Sequence, residues 1–260
     1  MSFLAIVIHA WLVATPAAGA AAAAATAPTA PTAPTANGVV DNVQKFYADI
    51  KQVTAQFRQS VTNSTFGTSK TSDGTVWLMK PGKMRWDYLE KKKSKDVEVT
   101  KSFISNGSTL YVVDHGNKQV VKKNLQQDLM PVAVTFLYGK GDLKAAFTAE
   151  LDKASKYGDK DDLVLKLTPK QPSAQYKNLI LVVAKDNFRV KESIIVDSSS
   201  NVNQFRFYAP DFDKSIKDTW FEFDERSVKN YRVIDADQQQ QGSGSGSAAA
   251  PVAPATPKKP

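Results

Sequence analysis

Apolar residues first recur at helical spacing. Val39, Val43, Phe46, Ile50, Val53 and Phe57 follow one another at intervals of three and four, the repeat of one helix face. This predicts an amphipathic helix over 38–60. Its far end, Val53 to Val61, also alternates apolar and polar residues, and so reads equally well as the start of a strand.

From Gly74 the period becomes two. Val76, Leu78 and Lys80 share one face and Trp77 and Met79 the other, as in a half-buried strand. Pro81-Gly82 interrupts the run, and Met84, Trp86 and Tyr88 resume the alternation. Lys91 to Lys95 is a basic turn. Phe103 to Val113 reads as two strands around Asn106-Gly107, a strong hairpin signal. His115 to Lys118 forms the next turn and Gln119 to Leu125 the next strand.

Pro131 opens a short apolar segment that ends at Gly139, and Leu143 to Leu151 suits a second short helix. Strands are then predicted at Leu163–Leu167, Leu179–Val183, Val190–Val196, Gln204–Tyr208 and Thr219–Phe223. About ten strands separated by short turns form an antiparallel meander, and such a meander curls toward a barrel. A barrel of that size is too wide for its side chains to fill. The expected fold is therefore α+β: an unclosed antiparallel β-barrel, or half-barrel, with a lid of about three α-helices over an apolar cavity. Two sheets packed as a sandwich with no cavity fit the same periodicity.

The ends are different in kind. Residues 1–37 carry no charged side chain, and 238–260 carry only Lys258 and Lys259. Phe3 to Val13 is apolar apart from His9, too short to span a bilayer comfortably. With Ala18-Gly19-Ala20 behind it, this reads as a secretory signal over 1–20, although no Lys or Arg precedes the apolar run. A buried or anchoring segment is the other reading. An Ala/Pro/Thr tract at 21–37 is a linker, and 238–260, rich in Gln, Gly-Ser and Ala-Pro, is a disordered tail. One domain over 38–237 remains, within the usual range for a single core. Of the 34 basic residues 32 lie there against 26 acidic ones, an excess of six. That balance suits anionic partners but is too diffuse for nucleic acid. No cysteine is present, so there is no site for lipidation after the signal. The expected location is the periplasm, as a monomer.

The search for chemistry nominates no catalytic residue, no metal site and no cofactor. His115 stands alone in a turn beside Asp114. There is no nucleophile elbow, P-loop or dinucleotide fingerprint. The acidic pairs Asp161-Asp162 and Asp211/Asp213 lie in turns, with too few oxygen ligands for calcium.

Three features together resemble the LolA family of periplasmic lipoprotein carriers. Gly74 to Trp86 is similar to that family's strand, Lys/Arg, Pro, strand and Trp signature. Ser105-Asn106-Gly107-Ser108-Thr109-Leu110-Tyr111, followed by Asp114 and Gln119-Val120, is similar to its hairpin. The third feature is order: an N-terminal helix, strands, a helical insertion opened by proline, then strands to the end. Leu165 to Lys170 also resembles the strand and Thr/Pro turn that follow the insertion. The resemblance covers about 38–237. It implies a carrier, not an enzyme, that receives triacylated lipoproteins from an inner-membrane ATP-driven transporter of the LolCDE type. The cargo then passes to an outer-membrane acceptor, LolB-like where one is present. A related half-barrel module that binds or senses other lipids or glycolipids is the alternative.

On either reading the residues expected to line an acyl cavity are Val76, Leu78, Met84, Trp86 and Tyr88 on the strands. Val43, Phe46 and Ile50 of the first helix and Phe136 and Leu137 of the insertion lie above them. Met84 stands where the family often has Phe, and Lys80 where it often has Arg. By parity Lys80 points into the apolar interior, where an unpaired ammonium is expensive. Carbonyls at the C-terminal end of a lid helix are natural partners. Lys80 is accordingly a candidate latch, with Arg85 as the alternative and with 131–151 as the lid segment expected to respond. The simpler reading of Lys80 is a side chain that reaches past Pro81 to water.

Overall fold

The computed structural model describes residues 33–92, 96–125, 142–173 and 176–241. Helix α1 spans Ala36–Asp49, two residues ahead of the expected domain start. Thr35 caps it by accepting the Gly38 amide at 3.1 Å. Val39, Val40, Val43 and Tyr47 form its buried face. The helix stops at Ile50, whose backbone is extended, so Val53 and Phe57 belong to a strand.

That strand is β1 (Gln52–Asn63). It is followed by β2 (Thr68–Met79), β3 (Lys83–Lys91), β4 (Val97–Asn106), β5 (Thr109–Asp114) and β6 (Gln119–Asn124). After the segment outside the described residues, which includes Phe136 and Leu137, come α2 (Leu143–Ala146) and β7 (Phe147–Leu151). Then come β8 (Asp162–Pro169), β9 (Asn178–Ala184), β10 (Val190–Val196), β11 (Val202–Asp211), β12 (Arg232–Asp235) and α3 (Ala236–Gln241).

Among the described residues twelve strands join one sheet in the order β12-β6-β5-β4-β3-β2-β1-β11-β10-β9-β8-β7. Neighbours are antiparallel except β12, which runs parallel to β6. The sheet is unclosed, with β7 and β12 at its edges. It is strongly curved. Ten of the twelve strands contribute side chains to a single core cluster that also holds α1. Laid flat, ten strands at about 4.8 Å spacing would extend over roughly 45 Å. Helix α1 is only about 21 Å long. One helix can share a core with so many strands only if the sheet wraps around it, and the result is a half-barrel with α1 against its concave face. Among the described residues no helix is long and apolar enough to cross a membrane.

Two expectations are corrected. Leu143 to Leu151 is not one helix. A single turn capped by Asp142 gives way to β7, whose Ala149 and Leu151 pair with Leu167 and Leu165 of β8. The alternation Phe147, Ala149, Leu151 suits a sheet edge, and pairing with β8 outweighs the local helix preference. Thr219–Phe223 is not a strand: Asp218–Phe221 forms a 3-10 turn, and the last strand is β12. The helix Ala236–Gln241 crosses the boundary drawn at 237, and Asp237 Oδ2 accepts the Asn124 amide at 2.7 Å.

The outer face is apolar in two places. Ile104, Val113 and Val120 lie beneath Phe223, Val228 and Tyr231 of the segment leading back to β12. Val164, Val182 and Ile194 lie beneath Tyr157. Central strands are thus buried on both faces, and their continuous apolar runs reflect this.

Candidate functional site

The site grows from the register of three strands. Val53 and Ala55 of β1 stand opposite Leu78 and Val76 of β2. Val76 and Leu78 stand opposite Trp86 and Met84 of β3. Because side chains alternate faces, these six residues share the concave wall, and all six are buried. Phe57 continues the row opposite Gly74 and Phe207. A Cβ on Gly74 would overlap the Phe57 ring and the Asp87 carbonyl oxygen, so glycine is what lets the ring lie across β2.

Aromatic rings dominate this wall. Phe57 meets Trp86 at 5.0 Å and Tyr88 at 5.1 Å, each edge to face. Trp86 meets Phe205 at 5.3 Å, and Tyr88 meets Phe103 at 5.7 Å. Above them α1 contributes Val43, fully buried, with Phe46 and Ile50 packed at the margin. Phe46 makes edge contacts with Tyr47 at 5.1 Å and Phe212 at 5.7 Å. The structure therefore brings together Val43, Phe46, Ile50, Val76, Leu78, Met84, Trp86 and Tyr88 in one cluster, while Phe136 and Leu137 lie outside the described residues.

Two polar side chains tie the helix end to the sheet. Lys80 Nζ donates to the carbonyls of Tyr47 and, at 2.8 Å, of Ala48. Both belong to the last turn of α1, where carbonyls lack intrahelical partners and carry partial negative charge. Among the described residues the contact is to α1; residues 131–141 of the segment expected to respond lie outside them. Desolvation holds the Lys80 ammonium below its ordinary pKa, partly offset by Asp49. Tyr47 Oη accepts the Val190 amide at 3.2 Å, which ties the same turn to β10. Burial pushes the Tyr47 phenol up to about 12, with the Val190 hydrogen bond and Arg189 acting weakly the other way. Burial also raises the Tyr88 phenol. The interior therefore disfavours charge. A shallow hollow lined by Ile50, Val53, Leu78 and Lys80 adjoins the contact.

Arg85 lies on the other face of β3. It pairs with Asp87 at 2.9 Å and stacks over Trp220 at 4.5 Å, and Trp220 packs against Trp77 at 5.5 Å. It does not reach α1. The concave residues missed in the sequence are Phe57, Phe103, Phe205 and Phe207. Alternation at 205 and 207, and at 53, 55 and 57, was the available signal. The stacking of Arg85 on Trp220 left none, because the two are far apart in sequence.

The fold and site define an open half-barrel whose apolar, aromatic concave face is covered by an N-terminal helix pinned at its last turn. The chain matches the family model described as outer membrane lipoprotein carrier protein LolA over residues 48–224, and it belongs to that family. It is similar to the outer-membrane lipoprotein carrier protein of Neisseria gonorrhoeae, 25% identical over 166 residues, covering 60% of this chain and 74% of that protein. It is also similar to the protein of the same name from Dechloromonas aromatica, 23% identical over 191 residues, covering 72% and 83%. Among solved structures it is similar to a LolA superfamily protein from Nitrosomonas europaea. That match has 14% identity, covers 74% of this chain and 99% of that one, and has a TM-score of 0.40. The resemblance read from Gly74–Trp86 and Ser105–Tyr111 is confirmed by the family match.

Proposed function

We propose that this protein is a periplasmic carrier that shields the acyl chains of triacylated lipoproteins on its concave face. It takes them from a LolCDE-type inner-membrane transporter and delivers them to an outer-membrane acceptor. The observation that carries this reading is the concave wall itself: one continuous apolar surface from ten strands, covered by a helix that is held by its own apolar face and by hydrogen bonds at its last turn. Exposing one CH₂ to water costs roughly 0.8 kcal/mol, so a long acyl chain costs roughly 10 kcal/mol or more to move unaided. A carrier offers apolar surface throughout the transfer and needs no catalytic group.

Helix α1 occupies the concave face. Cargo therefore competes with Val39, Val40 and Val43 for the same wall. Binding is weakened by the free energy needed to displace α1, and the same term favours release to the next acceptor. The hydrogen bonds of Lys80 and Tyr47 support the reading that these side chains set its size.

An apolar fluorescent probe is expected to bind saturably at one site and to be displaced by triacylated peptide. Lipid co-purified from periplasmic expression is expected to be triacylated peptide by mass spectrometry. Free phospholipid or glycolipid alone would favour a module for other lipids, and absence of saturable probe binding would refute the carrier.

A further inference from the structure

We infer that the Ser193 hydroxyl is a polar anchor inside the concave face, donating a hydrogen bond to an ester carbonyl of a bound diacylglyceryl group. The inference rests on the carrier reading and adds a specific recognition contact to it. Ser193 lies in the middle of β10, opposite Leu181 of β9 and Phe205 of β11. Both neighbours belong to the concave core, so alternation puts the Ser193 side chain on that face. Ile194, the next residue, lies in the outer cluster, as the same alternation requires. Ser193 is only 2% exposed. Its Oγ is buried and, among the described residues, has no hydrogen-bond partner.

An unpaired hydroxyl in an apolar interior is a net cost that alanine would not bear. Native interiors pair nearly all such groups, so a donor left free against the acyl-facing wall calls for an acceptor brought by the ligand. The surroundings restrict what that acceptor is. The nearby ionic groups face elsewhere: Glu192 pairs with Arg206 at 2.7 Å, and both precede or follow concave positions by one residue. A carboxylate at Ser193 would meet no counter-charge from Glu192 or Arg206, and burial in the same core raises the Tyr47 and Tyr88 phenols. A neutral carbonyl fits. Phe205, opposite Ser193, contacts both Phe57 and Trp86, so an acyl chain extending from that carbonyl would run onto the aromatic wall. At the same level Gln59 Nε2 donates to Asn203 Oδ1 at 2.8 Å, which makes this end of the concave face more polar than the end under α1.

The test crosses two proteins with two ligands: wild type and Ser193→Ala, each titrated with a diacylglyceryl-cysteinyl peptide and with its dialkyl ether analogue, which lacks the two ester carbonyls and keeps the peptide. Wild type is expected to bind the ester about fivefold more tightly than the ether, the size of one ordinary hydrogen bond. Ser193→Ala is expected to bind both alike and to melt at the same or a higher temperature. An ester preference that survives in Ser193→Ala, or that is absent from wild type while both lipids bind, would overturn the anchor and leave the carrier intact. A lower melting temperature for Ser193→Ala would show that the hydroxyl serves the protein itself and would equally overturn it. If wild type bound neither lipid, the carrier reading would fail and the anchor with it.

Discussion

Lys80, at the turn between β2 and β3, donates from Nζ to the carbonyl of Ala48 at 2.8 Å. One side chain thus joins the concave wall to the last turn of the helix that covers it. The Lys80–Pro81 peptide is cis. The ammonium also bonds the Tyr47 carbonyl, so two carbonyls of α1 depend on it.

Lys80→Leu is expected to loosen α1. Hydrogen bonds from a charged donor contribute about 1.5–3 kcal/mol, and partial exposure of Lys80 puts this pair toward the lower limit. Amide exchange in residues 43–49 should accelerate about tenfold, and affinity for an apolar probe should rise. Lys80→Arg should keep both near wild type, since arginine also reaches carbonyls and has more donors. Unchanged exchange across α1 in Lys80→Leu would rule out the latch.

Gly74→Ala should be costly for its size. The added methyl meets the Phe57 ring and the backbone at Asp87, and the backbone cannot yield without disturbing the β2–β3 ladder. A loss of about 2–3 kcal/mol is expected, seen as a fall in melting temperature of roughly 5–10 °C. Gly116→Ala is the control: its nearest neighbour is an Asp114 side-chain oxygen at 3.5 Å, so the change should stay within about 0.5 kcal/mol. Equal effects at the two positions would contradict the packing described around Phe57.

Stability should fall steeply in alkali. The Tyr47 phenol titrates at about 12 in the folded protein against its ordinary 10.0. Between those values the unfolded chain releases the proton and the folded chain keeps it, so each rise in pH favours unfolding. The contribution is complete below pH 10 and is lost as pH rises through about 12, and it amounts to about 2–3 kcal/mol. Tyr88, also raised by burial, acts in the same direction. Urea midpoints measured from pH 9 to 12 should therefore decline less in Tyr47→Phe than in wild type. Parallel declines would show that this phenol does not control the transition.

Trp220→Ala addresses the outer face. The indole stacks on Arg85 at 4.5 Å and packs against Trp77 at 5.5 Å, and so pins the segment that runs from β11 back to β12. A loss of about 1–2 kcal/mol is expected from these contacts. Proteolysis within 212–231 should quicken while probe affinity on the concave face stays unchanged. A large change in probe affinity would mean that the two faces are coupled.

Much of this was legible in the chain. Val76, Leu78, Met84, Trp86 and Tyr88 were assigned to one face by alternation alone, and the structure places them in one cluster. Val43 and Phe46 were placed on the covering helix by their spacing. Local patterns failed where two periodicities overlapped. Val53 and Phe57 continue the helical repeat but pair as β1, and Leu143 to Leu151 reads as helix but supplies an edge strand. Neither stretch contains a residue that forbids the wrong conformation, so the decision fell to strand pairing.

By itself the sequence determined the alternation that gives each strand an apolar face, the turns between strands, and the cation on the inward face before Pro81. These follow from covalent geometry and from local preferences acting over a few residues. Only the tertiary structure decided which helix receives Lys80, that Arg85 stacks on Trp220 instead, that β12 returns to run beside β6, and that Ser193 faces Leu181 and Phe205 with no hydrogen-bond partner among the described residues. Each of these joins residues far apart in the chain, and their meeting depends on how the sheet curls around one helix, a property no short window of sequence contains.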